Sequence, residues 1–222
     1  METPTGSLAD APRAPALATA RGYYWFYTLS RAICWAVCKL WFRHGATGVH
    51  NIPKTGPVVL ACNHASHLDP VLLGTMVPRR CWYLARVGLG RIPLLGRWMR
   101  GVGIVFIDRK SPGRHSLGSL ISLLETGEVV GMFPEGTRTQ DGRITPFERG
   151  LILLLKKSQA RVVPVGLRGS FAALPPGGLF PKPRRCSVHF GPVWTADEVL
   201  AEGGLESLRQ SVAELSGVEL AE

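Results

Sequence analysis

The chain has 222 residues, which is room for one α/β domain with a sizeable core but not for two large ones. Hydrophobic residues make up 45% and charged residues 19%, a balance that excludes an intrinsically disordered chain. The formal net charge of +10 favours anionic partners (nucleic acid, anionic lipid or phosphorylated small molecules) without choosing among them.

Residues 1–20, rich in Ala, Pro and Thr, read as a disordered leader with no secretory signal. The composition then changes sharply. Residues 21–44 contain GYYWFYTLSRAICWAVCKLWF (22–42), with three of the six Trp and three of the four Tyr. A bilayer span needs about 20 apolar residues. Arg31 near the centre of that stretch would cost roughly 2.5–3.5 kcal/mol, and Lys39 adds to it. Thr28, Arg31 and Lys39 share one helical face, so a helix lying in the membrane interface is the first reading. A single membrane span is the second, and a helix packed on the core the third.

From residue 45 to 195 strands and helices alternate. VVLACN (58–63), CWYLAR (81–86), GIVFID (103–108), VVGMF (129–133), RVVPVGL (161–167) and SVHFGPV (187–193) read as strands. DPVLLGTMV (69–77), IPLLGRWMRGV (92–102), a segment opening at Ser111-Pro112 and closing at Gly127, and GLILLLKKSQA (150–160) read as helices. Basic residues are densest from Arg79 to Arg114. Residues 175–185 form a basic, Pro/Gly-rich loop. Residues 196–222 form an acidic helical tail, opened by a Thr195–Glu198 capping box and broken at Gly203-Gly204. The expected fold class is α/β: one domain with a mostly buried mixed sheet flanked by helices, plus the N-terminal aromatic helix.

Four strand ends carry chemistry-bearing residues. After the first strand comes Asn63-His64-Ala65-Ser66-His67-Leu68-Asp69. A hydroxyl attacks well only when a base takes its proton, and His64 can do so near neutral pH. A carboxylate five residues on can fold back to fix the imidazole tautomer, and Asp69 also suits a helix start before Pro70. Asp108-Arg109 ends another strand. Phe133-Pro134-Glu135-Gly136-Thr137-Arg138 follows a third. There Glu135 can meet a substrate hydroxyl, Gly136 lets backbone approach a ligand, and Arg138, like Arg109, offers forked donors to phosphate. Pro164 within a strand argues for a sheet edge or a bulge.

These blocks, in this order over roughly residues 45–195, resemble the glycerolipid acyltransferase family, that of the bacterial 1-acylglycerol-3-phosphate acyltransferases. Pro93 with Gly96 resembles a further family block. The resemblance implies His64 as general base with Asp69 as its partner. It places Arg109, and Glu135, Gly136 and Arg138, in two acceptor-binding blocks that carry Thr137 with them, and Pro164 in a block tied to acyl-chain placement or catalysis. Asn63 belongs to the first motif. Arg86 stands where many members have Lys, and so does Arg149 before Gly150. The charge is kept in both. The implied reaction moves a fatty acyl group from acyl-CoA or acyl carrier protein to a lysophospholipid such as 1-acylglycerol 3-phosphate. Backbone N–H groups after Asn63 are expected to hold the oxyanion.

No metal or redox cofactor is expected. The five cysteines, with no Cys-x-x-Cys, read as free thiols in a reducing compartment and place the protein at the cytoplasmic face of a membrane. Covalent catalysis through Ser66 or Cys62, another lyso-lipid acceptor such as a lyso-aminolipid, a non-catalytic lipid binder and a basic nucleic-acid module are the rivals. The last lacks any nucleic-acid-binding signature.

Overall fold

The computed structural model describes residues 24–107 and 114–221. The expected leader, and the Asp108-Arg109 strand end with the Ser111-Pro112 helix start, lie outside these residues.

The elements run α1 (Tyr24–Phe42), β1 (Gly45–Thr47), β2 (Val58–Cys62), α2 (Asp69–Met76), β3 (Cys81–Arg86), α3 (Val87–Gly90), α4 (Pro93–Gly101) and β4 (Ile104–Ile107). After the undescribed segment come α5 (Arg114–Glu125), β5 (Val129–Met132), α6 (Gly150–Ser158), β6 (Arg161–Arg168), α7 (Ser170–Ala173), β7 (Ser187–Phe190), α8 (Ala196–Leu200) and α9 (Gly204–Ser216). The sequence signals missed β1, α3 and α7, which have only three or four residues each and so cannot display a period.

The seven strands lie in the order β1-β7-β6-β2-β5-β3-β4. All neighbours are parallel except β6 and β7, which makes the sheet mixed. Alternate side chains divide the core into two layers. Val58, Leu60 and Cys62 of β2 pack with Cys38 and Phe42 of α1 and Leu72 and Leu73 of α2. Val59 and Ala61 face the other way, onto Leu120 and Leu124 of α5, Leu154 and Leu155 of α6 and Leu208 and Val212 of α9. Contact across the sheet is close enough at Gly166 that an added Cβ would stand 2.2 Å from the Leu215 backbone of α9.

Pro164 is not on an edge strand, because β6 lies between β2 and β7. Its carbonyl accepts from Gly191 N–H, so its nitrogen also points toward the β7 side. There the β7 ladder, which pairs with 165–168, has ended, and Trp194 returns only at Val162. The missing N–H therefore falls in a ladder gap, which is how a proline is tolerated inside the sheet.

The N-terminal helix packs on the domain, as in the third expected reading, and leaves an apolar outer face exposed. Tyr27, Ser30, Cys38 and Phe42 are buried against the domain, while Trp25, Leu29, Ile33, Val37 and Trp41 form an exposed stripe at four-residue spacing. Arg31 is not on a headgroup-facing surface. It turns inward and donates through Nη2 to the Thr75 carbonyl of α2. Among the described residues, no helix is long and apolar enough to cross a membrane.

Candidate active site

β2 is a central strand, and its carboxyl end delivers Asn63 and His64 beside the ends of β5 and β6, where open α/β sheets place their ligands. The Asn63 amide is spent on the sheet. Nδ2 donates to the Leu167 carbonyl and Oδ1 accepts from the Leu167 N–H, pinning the loop to β6.

His64 is held on every side but one. Its Nδ1 lies 2.9 Å from Asp69 Oδ2, with the His64 side chain 19% exposed and Asp69 fully buried. Its ring stacks on Phe133, centroids 4.1 Å apart. Its N–H donates to Glu135 Oε1, and its carbonyl accepts from Thr139 N–H. Asp69 Oδ2 also accepts the N–H groups of Ala65 and Ser66 at 2.7 Å each. A carboxylate on Nδ1 makes that nitrogen the donor and leaves Nε2 with its lone pair free.

The same bonds revise two expectations. The N–H groups of residues 64–66 are already taken by carboxylates and are not free for an oxyanion. Glu135 is buried, and both its oxygens are engaged: Oε1 by His64, Oε2 by the N–H and Oγ1 of Thr145. Burial pushes its carboxyl pKa up, and these hydrogen bonds oppose the rise. Glu135 is thus a strut under His64 rather than an open ligand for substrate.

Residues remote in sequence complete the strut. Arg209 of α9, itself buried, donates to the carbonyls of Ile144, Thr145 and Ala221 and pairs with Glu206 at 2.9 Å. It holds Thr145, which holds Glu135, which holds the His64 backbone.

A cavity of about 860 Å³ opens at His64. At its mouth stand His67, Gly136, Thr137 and Arg138. Gly136 sits at φ +70°, where a turn needs a residue without a side chain. Arg138 has no acidic partner within ion-pair distance among the described residues. The walls are mainly apolar, from α1, α2, β3 and α4, with Leu84, Leu95, Trp98, Met99 and Val102 among them. Leu60, Gly131 and Tyr83 stand in register four residues below His64. At ~3.3 Å per residue Tyr83 lies about 13 Å and Cys81 about 20 Å below His64 along the strand direction, and both line the cavity. The Tyr83 ring lies across Gly131, where any Cβ would come within 2.2 Å of it. Arg31 Nε is buried there without a hydrogen-bond partner among the described residues, and the buried Tyr83 hydroxyl has only the Cys81 thiol beside it.

The site therefore gathers His64, Asp69, Gly136, Thr137 and Arg138. Asn63 and Glu135 support it from behind, and Pro164 lies within β6, outside the cavity lining. Arg86 ends β3. Arg109 lies outside the described residues. Ser66 Oγ donates to the Leu174 carbonyl and Cys62 is wholly buried, so neither is presented as a nucleophile.

A family profile described as Acyltransferase matches residues 44–168. A 1-acyl-sn-glycerol-3-phosphate acyltransferase of Bacillus subtilis (strain 168) is 32% identical over 120 residues, covering 54% of this chain and 59% of that relative. The alpha form from Mus musculus is 36% identical over 121 residues, 53% of this chain and 42% of that one. The chain thus spans about half the length of the curated relatives it matches. Among solved structures, the 1-acyl-sn-glycerophosphate acyltransferase of Thermotoga maritima superposes with a TM-score of 0.72 at 23% identity, over 88% of this chain and 83% of that one. That likeness speaks for the fold.

Proposed function

Because the chain belongs to the acyltransferase family, as the match over residues 44–168 establishes, we propose that it transfers a fatty acyl group from a thioester to the free hydroxyl of 1-acylglycerol 3-phosphate, giving phosphatidic acid. The observation that carries this reading is a histidine oriented by a buried carboxylate at the mouth of a deep apolar cavity.

In this reading the acyl chain lies in the cavity with its thioester carbonyl beside His64. Nε2 of His64 takes the proton as the acceptor oxygen attacks that carbonyl, and Asp69 stabilises the imidazolium. The C–S bond then breaks, and the proton returns from His64 to the leaving thiolate. The N–H groups of Thr137 and Arg138, which have no acceptor among the described residues, are the donors nearest to hand for the oxyanion. The Arg138 guanidinium pairs with the acceptor phosphate. The thiol belongs to coenzyme A or to acyl carrier protein.

We place the protein on the cytoplasmic side of a membrane surface, as a single acyltransferase domain with an interfacial helix before it and a helical tail behind. The exposed stripe of α1 rests on the lipid while its inner residues Tyr27, Ser30, Arg31 and Cys34 line the cavity. The five unpaired thiols support a reducing compartment.

The test incubates purified protein with lyso-lipids of different headgroups and with both donor types, and identifies the product by mass spectrometry. Phosphatidic acid from lysophosphatidic acid is expected. Acylation of a lyso-aminolipid alone would reject the acceptor, and absence of transfer with every pair would reject the reaction.

A further inference from the structure

Leu179 and Phe180 stand at the tip of the loop between α7 and β7, 88% and 82% exposed. Single exposed apolar residues are ordinary, but here an adjacent Leu–Phe pair at a loop tip is left uncovered by the described residues. The loop is also not slack. Gly177 turns the chain at φ +80° and Gly178 N–H donates to the Pro175 carbonyl. Lys182 N–H donates to Ala173, and Cys186 N–H to the last residue of α1, Phe42. The Trp41 indole of α1 donates to the Pro181 carbonyl at 3.1 Å. An ordered backbone therefore presents the pair, and little ordering entropy is lost when it is buried.

Three exposed cations follow the tip: Lys182, Arg184 and Arg185. None lies within ion-pair distance of an acid among the described residues. Apolar groups at the extremity with cations just behind them match the layering of a bilayer, tails below and phosphates above. The Trp41–Pro181 bond also makes the tip continuous with the exposed stripe of α1.

We propose that the 175–185 loop is a second membrane-docking element, in which Leu179 and Phe180 insert among lipid tails and Lys182, Arg184 and Arg185 meet anionic headgroups. The proposal rests on the reading of α1 as membrane-facing. Two points of attachment, the helix stripe and the loop tip, fix the orientation of the domain on the surface as well as its attachment. A flat helix alone leaves the domain free to roll about the helix axis.

The test is co-sedimentation of the full chain with phosphatidylcholine vesicles, with and without phosphatidylglycerol. Leu179→Ser with Phe180→Ser is expected to lower partitioning at least about tenfold on both vesicle types, given the apolar area of two large side chains. Lys182→Gln with Arg184→Gln and Arg185→Gln is expected to weaken binding to anionic vesicles alone, with a shallower salt dependence. Turnover of a short-chain, water-soluble acceptor stays at the parent level in both. Unchanged partitioning of the serine variant overturns the proposal. So does a serine variant whose vesicle binding is unchanged while its sedimentation shows loss of a dimer, since the tip would then be a self-association surface. Vesicle binding is read without turnover, so failure of the acyl-transfer reading leaves this result interpretable. Loss of binding in an α1-stripe variant beside parental binding in the Leu179→Ser, Phe180→Ser variant would keep the helix and remove the loop.

Discussion

At the scale of single residues, the site shows how few groups have been left free. Asp69 accepts three hydrogen bonds through one oxygen, Glu135 three through two, and the Asn63 amide is closed onto Leu167. Against that background His64 Nε2 and the Arg138 guanidinium stand out at the cavity mouth as polar groups with no partner among the described residues. His64→Ala should therefore lower kcat by about 10²–10⁴-fold, the usual loss for a general base. The side chain lies at the cavity mouth, and without it Asp69 still accepts the Ala65 and Ser66 N–H groups, so the fold should persist and lysolipid binding should change little. Steady-state kinetics beside a thermal melt checks this, and near-parental kcat would reject His64 as the base. Asn63 and Glu135 look like ligands in the sequence because they are polar and flank the motif. Burial makes them supports, and burial is not written in a short motif.

At the scale of elements, the loop from Phe133 to Phe147 is held by an element far away in the chain. Arg209 on α9 binds three carbonyls, two of them in this loop and one at Ala221. Ile144 also exchanges backbone bonds with Glu219 and Ala221. Replacing Arg209 by Met removes every one of the guanidinium bonds and takes this donor from the part-buried Thr145 and Ala221 carbonyls, at roughly 1–3 kcal/mol each, while the Ile144 carbonyl keeps the Ala221 N–H. Arg209→Met is expected to lower the unfolding free energy by at least about 2 kcal/mol in urea denaturation and to raise KM for the acceptor. A variant with unchanged stability would show that the clamp is redundant. The capping box at Thr195 is a feature the sequence displayed in full. Glu198 N–H donates to Thr195 Oγ1, and the Glu198 carboxylate accepts from the Thr195 N–H, as the four-residue pattern requires.

At the scale of the whole molecule, one helix presents two different faces. The inner side of α1 closes the cavity and its outer side is an apolar stripe. Deleting the helix would open the core, so the membrane reading is better tested on its surface. Leu29→Ser, Ile33→Ser and Val37→Ser together should lower vesicle partitioning by about tenfold or more, while turnover of a water-soluble acceptor persists. Parental vesicle binding in that variant would mean that the stripe faces something other than lipid. The basic stretch from Arg79 to Arg114 contributes less open field than its composition suggests. Arg79 donates to the carbonyls of Pro53, Gly56 and Gly127, and Arg80 lies over the Trp82 ring at 4.2 Å. These guanidiniums hold the fold together as well as carrying charge.

The alternation of strands and helices was legible along the chain, because buried parallel strands are continuous apolar runs and helices carry a 3.6-residue period. So was the His64–Asp69 pair, since five residues across one turn keep the two within reach of local geometry. Tertiary structure alone decided the rest. The sheet order placed Pro164 inside the sheet beside a ladder gap. Folding turned Arg31 inward from a face that the sequence assigns to the membrane interface. It brought Arg209 to Thr145 across 64 residues, and the apolar walls of the cavity together from α1, α2, β3 and α4. No local pattern encodes such contacts, because they depend on which strands become neighbours and which layer covers each face.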